Sequence, residues 1–364
     1  MSPAPADNEK DMSVEERLSA VLGDPLGAAA AGGALGFVGL DIPPDLLLAH
    51  GAVSCHLPLR LPRDTSRTSR WLESSFPPWA HSILESWWQG EFRCFDHVIF
   101  SRGDDVCHRL YYYICELQRQ GRITGPQPLV FDVARIPRAS SRRYTAQSLR
   151  ELASRLGIEP AAMRRGVLKA NAWRRLFGDI RRQRRGLGSF YERLVRASLY
   201  TDPCHLLQDW KPDDREPSHG GIVLGGSSPP DDRIHLAVEQ AGCAVVEELY
   251  DRGLHRLGFE VDATAQDLPQ VVADRWLDHH LTPRDLSDSA AALLEAVQRT
   301  RAVAAILWCT REDEALAWQV AAQRTALERS GVPALVLVAR SWAFDDGADE
   351  QIRSFLEGVV RASA

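Results

Sequence analysis

Apolar residues fall along this chain in two alternating rhythms. Short runs read as strands: Leu35 to Gly39, Val53 to Leu57, Phe95 to Phe100, Leu129 to Val133, Ile222 to Leu224, Ala244 to Val246, Val303 to Leu307 and Ala334 to Val338. Between them apolar positions recur at helical spacing. The stretch from Pro78 to Trp88 carries Trp79, Ile83, Leu84 and Trp87 on one stripe, and Cys107 to Gln118 carries Leu110, Tyr111, Ile114 and Leu117. Further helices are expected from Pro43-Pro44 through His50, over Tyr144 to Leu156, and over Leu268 to His279. Others are expected over Leu286 to Arg299, Glu314 to Ser330 and Gln351 to Val360. Pro opens the first of these because its missing N–H has no intrahelical partner at that position anyway.

The clearest unit is Gly220 to Asp251. A strand ends in Gly225-Gly226-Ser227-Ser228-Pro229-Pro230, Asp231-Asp232 opens a helix with Ile234, Ala237, Val238 and Ala241 on its apolar face, and Gly242 precedes the next strand. Strand, helix and strand in this order build a parallel sheet with helices on its faces. Ligands of such sheets sit beyond the carboxyl ends of the strands. The loop has neither the Lys of a P-loop nor GxGxxG spacing, so a plain connection and a ligand-binding loop both stay open.

Strand and helix alternate from Leu35 to Val133 as well, then give way to an almost wholly helical stretch from Glu159 to about Leu206. The expected organisation is a flexible N-terminal arm over 1–30, loosely ordered or docking through a short helix near Val14 to Val21, and an α/β domain over 31–207 whose helical extension covers about 145–207. A Pro- and Asp-rich linker over 208–219 and a second α/β domain over 220–364 follow, with a cleft between the halves.

At 364 residues the chain has length enough for two cores, and its net charge of −6 gives no reason to expect nucleic acid or an anionic membrane as partner. The basic run from Arg174 to Arg185 reads as a solvated helix face or an anion contact, and the Trp cluster as core or interface. Neither a membrane span nor a secretory leader is expected, which makes the cytoplasm the expected location. Seven cysteines without a CxxC pair argue against a zinc knuckle, a thioredoxin-type motif and a disulfide framework. Asp104 and Asp105 begin a helix, where carboxylates meet the positive end of the helix dipole.

The succession GFVGLDIPPDLLLAHGA (36–52), FDHVIFSRGDDVCHRLYYYI (95–114), Leu156-Gly157, Asn171, IVLGGSSPPDD, GCAVVEELYDRGLHR (242–256), SGVPALVLV (330–338) and IRSFLE (352–357) resembles the D-component family of 2-hydroxyacyl-CoA dehydratases and benzoyl-CoA reductases. The resemblance implies two Rossmann-like parallel-sheet domains joined by a helical segment, pairing of related subunits as heterodimers, and an acyl-CoA substrate. It also implies a 4Fe-4S cluster held by Cys thiolates at the cleft, fed an electron by a separate ATP-driven activator.

Here the sequence departs from the family. The positions that match the family's cluster ligands hold Gly103, Tyr250 and Glu312 instead of Cys. No cluster is therefore expected on this chain, and no cofactor of its own, although one is expected on a partner subunit. Three functions follow. The chain is a dehydratase-like subunit paired with a cluster-bearing relative or with itself; its cleft serves non-redox chemistry on a thioester or other small molecule; or it is a non-catalytic scaffold. Candidates for chemistry near strand ends are Asp104, Cys107, His108, Ser227, Ser228, Tyr250 and Cys309, the thiols of Cys107 and Cys309 leaving open a rearranged metal site.

Overall fold

The computed structural model describes residues 12–30, 32–60, 63–136, 138–183, 186–211, 217–279 and 288–363. The first half runs through α1 (Val14–Gly23), β1 (Ala34–Val38), α2 (Pro44–Ala49), β2 (Ser54–His56), α3 (Pro78–Gln89), β3 (Phe95–Ser101), α4 (Asp105–Arg119), β4 (Gln127–Phe131) and α5 (Ala139–Arg155). Then come α6 (Pro160–Gln183), α7 (Gly188–Ala197) and α8 (Pro203–Leu206). The second half comprises β5 (Gly221–Gly226), α9 (Arg233–Gln240), β6 (Ala244–Leu249), α10 (Leu268–His279), α11 (Ser289–Thr300), β7 (Ala304–Thr310), α12 (Glu314–Arg329), β8 (Ala334–Arg340) and α13 (Ala348–Ser363).

The protein is thus α/β, with two four-stranded sheets in the orders β2-β1-β3-β4 and β6-β5-β7-β8. Every pairing in both is parallel. The two orders are the same when each half is counted from its first strand. In each, the chain leaves the first strand toward one edge and comes back on its other side. The loops that follow β1 and β3, and those that follow β5 and β7, therefore diverge around a crevice where the strand order reverses. Central strands are buried along their whole length, as β1 and β7 illustrate, because helices cover both faces of each sheet. No helix among the described residues is long and apolar enough to cross a membrane.

The packing takes up one of the two readings of the N-terminal arm and departs from several other expectations. The N-terminal arm docks as α1 across the described part of 1–30: Ser13 and Glu16 form a capping box, Leu18 is fully buried, and Arg17 donates to the carbonyls of Leu206 and Gln208. Residues 212–216, the middle of the expected linker, lie outside the described residues. Beyond it the chain does not stay with the second sheet. Leu268, Val272, Ala273 and Trp276 of α10 join the core of the first half, where Arg142 of α5 pairs with Asp278 and donates to the Asp274 carbonyl. The second half returns to the first after β6, so α10 of the second half completes the core of the first.

Of the basic run, Arg184 and Arg185 lie outside the described residues, Arg175 and Arg182 stay on a solvated face as expected, and Arg174 and Arg181 turn inward. Arg174 is buried against Asp45, Arg175 pairs with Glu260, and Arg181 reaches Glu247. The helix expected from Tyr144 begins earlier, at Ala139, so Thr145 sits inside α5. The Thr145 hydroxyl accepts from the Ala134 N–H in the loop after β4.

Candidate functional site

A cavity of about 1200 Å³ lies where the carboxyl ends of the two sheets face each other. Its wall takes Gly39 to Asp41 after β1, His56 at the end of β2, Ser101 to Asp104 around the end of β3, Ser227 and Ser228 after β5, Asp251 and Arg252 after β6, and Thr310 to Asp313 around the end of β7. That volume is at or above the upper end for small-molecule pockets, so the space suits an extended ligand.

The loop after β5 organises one side. Gly226 is at φ 112°, and an added Cβ there would overlap the Trp308 carbonyl, so only glycine lets this loop press against β7. The approach is sealed by Ser227 N–H donating to Trp308 O at 2.8 Å. Because β5 lies between β6 and β7, successive side chains of its loop part to opposite flanks. Ser227 donates to Asp313 Oδ2 at 2.9 Å and accepts from Thr310 N at 3.1 Å, whereas Ser228 donates to Asp251. From the opposite sheet Asp104 caps α4 by accepting from Cys107 N at 2.7 Å.

Three carboxylates from two sheets therefore share one space. Burial raises the Asp313 carboxyl to about 6 against the pull of the Ser227 hydrogen bond, with Asp104 and Asp251 pushing the same way as burial. Burial likewise raises Asp251, opposed by Ser228 and Arg252 and reinforced by Asp104. A carboxyl group that titrates near neutrality beside a serine hydroxyl is equipped to give or take a proton from a bound molecule.

The sign of the linkage is fixed. Between the ordinary 3.8 and about 6, the folded chain holds a proton on Asp313 that the unfolded chain has released, so stability falls as pH rises through that window. Asp313→Asn is expected to flatten this part of the profile of melting temperature against pH. An unchanged slope would show that the proton is held elsewhere.

The remaining cavity wall is largely apolar, with arginines set into it and Asp231 and Asp345 beside them. Arg252 has only 7% of its side chain exposed and donates to Glu192 at 3.0 Å, with Arg196 on the same carboxylate. Arg60 stands 46% exposed, 3.6 Å from Glu91.

Among the sequence candidates, the structure brings Asp104, Cys107, Ser227 and Ser228 to the cavity, together with Gly103 and Glu312. It takes three elsewhere. His108 packs on Tyr112 along α4, ring centroids 5.0 Å apart. Tyr250 turns into the second core with its hydroxyl 3.4 Å from His235 Nε2. Cys309 is not in a loop after β7 but within that strand, facing α11 and α12, where burial pushes its thiol up to about 12. Cys107 and Cys309 therefore do not converge, and no group of three or more His, Cys, Asp or Glu suited to a metal ion occurs among the described residues.

The donor set also decides the fit of a thiolate-held cluster. Gly103 offers no ligating atom, and a Cβ built on it would lie inside the Asp41 carboxylate, which pairs with Arg135 and accepts from Trp276 Nε1 at 3.0 Å. Tyr250 points away, and Glu312 brings a carboxylate where a thiolate is required. These residues do not fit a 4Fe-4S cluster. Five of the wall residues that sequence reasoning passed over are Asp41, His56, Asp251, Arg252 and Asp313. Each lies within three residues of a strand end, and that position was the signal that would have found them. No family model matches this chain, and no curated protein matches it.

Proposed function

We propose that the chain is a 2-hydroxyacyl-CoA dehydratase-like subunit that receives an acyl thioester in its interdomain cleft and has no iron–sulfur cluster of its own. In this reading a related subunit that carries the cluster pairs with it. The observation that carries the reading is the Asp41 carboxylate standing where a ligand side chain at position 103 would begin, in a cleft that otherwise keeps two opposed sets of strand-end loops. The arrangement supports a retained ligand space with an altered chemical lining. Arginines on one wall suit the phosphates of a coenzyme A moiety, and the carboxyl groups at the strand ends suit its acyl end.

A second reading, non-redox chemistry carried out by this cleft itself, is favoured by one feature: the Ser227–Asp313 pair with its carboxyl group near 6. Calorimetric titration of the isolated chain with propionyl-CoA tests the thioester part of both. Saturable binding that Arg252→Ala weakens is the expected result. Heats no larger than those of dilution, up to millimolar thioester, would remove the proposal.

A further inference from the structure

The helix α12 is apolar on both of its sides. Its inner side carries Val320 and Leu327, buried with Leu293 of α11 and Leu307 of β7. A helix at a domain surface normally turns polar residues outward. Here Ala315, Ala317, Trp318, Ala321 and Ala322 are all exposed, and Trp318, at 86%, is the most exposed large apolar side chain among the described residues. The strand β8, against which α12 packs, is an edge of the second sheet and exposes Val338. The apolar ground thus runs from the helix to a strand that no described strand covers on its outer side, and such a patch marks a contact between proteins.

Charges at the ends of this face indicate what covers it. Glu314 stands in the first turn of α12, and Arg324 lies ten residues on. Arg324 faces Glu328 at 3.7 Å, with side chains 59% and 66% exposed, a pairing weak enough to give way to another. At 3.6 residues per turn, Trp318 sits near the middle of the outer face, and Ala321 and Ala322 follow it by one turn. Turning a second copy of the helix end for end about an axis near Gln319 and Val320 sets Trp318 of each over Ala321 and Ala322 of the other. The same operation brings Glu314 of each beside Arg324 of the other. Large meets small and acid meets base, each twice, as a surface paired with itself requires. Two copies running the same way would instead oppose Glu314 to Glu314 and Trp318 to Trp318.

We infer that a second copy of this chain docks on the outer face of α12, forming a two-fold dimer through antiparallel α12 helices. The inference concerns self-association alone and holds whether or not the cleft takes a thioester.

Sedimentation velocity of the full chain by itself, from low micromolar to about 100 µM, is the test. The unmodified chain is expected to reach twice its monomer mass. Trp318→Glu is expected to weaken the dimer about thirtyfold or more, as loss of a central aromatic anchor does, while the circular dichroism of the folded chain is kept because the side chain is exposed. Ala322→Glu, on the same face, is the second variant and is expected to act alike. Glu314→Arg is expected to weaken the dimer about tenfold by setting like charges together, and Glu314→Arg with Arg324→Glu to restore it. A chain that stays monomeric at about 100 µM overturns the inference and leaves the surface to a different protein. A dimer that Trp318→Glu and Ala322→Glu both leave intact forms elsewhere and overturns it as well. A double reversal that weakens the dimer as much as the single one does overturns the antiparallel pairing and the inference with it.

Discussion

Replacing Arg174 with methionine is expected to cost about 3–5 kcal/mol of stability, read as a fall in the urea midpoint, because it leaves a buried carboxylate without its counter-charge. Asp45 is fully enclosed in α2, and Arg174 in α6 meets it with two bonds of 2.9 and 2.5 Å while its side chain is only 3% exposed. The pair does more than join two helices. Arg174 Nε also donates to Leu257 O at 2.9 Å, and neighbouring Asn171 both donates to Val261 O at 2.7 Å and accepts from Val261 N at 2.9 Å. These bonds hold the segment that leaves the cleft at Asp251 and Arg252 and returns to the first half as α10. Replacing Asp45 by leucine together with Arg174→Met removes both charges and is expected to recover most of the loss. A single substitution that shifts the midpoint by less than about 1 kcal/mol would mean that the pair is solvated in solution.

Restoring a side chain at position 103 is the second large effect. Gly103→Cys places atoms where the Asp41 carboxylate sits, so either the β3 loop shifts or Asp41 gives up Arg135 and Trp276. Overpacking of this kind costs about 1–3 kcal/mol. Because the two residues compete for one space, Asp41→Gly in the same chain is expected to return the steric part of the loss, making the double variant more stable than the sum of the singles predicts. Strictly additive losses, measured by calorimetric melting, would place Asp41 away from Gly103.

The fold was legible because strands and helices kept their own periods, and the parallel sense of both sheets followed from strand, helix and strand in sequence. Its limits were physical. Val245-Val246 followed by Glu247-Glu248 reads as the end of a strand, yet β6 runs on to Leu249 because Glu247 is buried with Arg181 at 3.0 Å and Arg299 at 2.6 Å. Partners that distant in sequence are invisible to a local pattern. The same extension carried Tyr250 into the core, and the extension of β7 to Thr310 took Cys309 with it. The apolar stripe of α10 announced burial but not against which sheet. At the site, Asp104, Ser227 and Ser228, singled out for their position after a strand end, line the cavity. The pairing of each serine with a different flanking aspartate depends on strand order, which only the fold supplies.

Iron and acid-labile sulfide, measured per chain on protein purified without oxygen and free of any relative, test the central claim most directly. The account predicts far less than one cluster equivalent and a colourless sample, because Gly103, Tyr250 and Glu312 do not supply the sulfur donors. Four irons and four sulfides per polypeptide, retained through gel filtration, would contradict it.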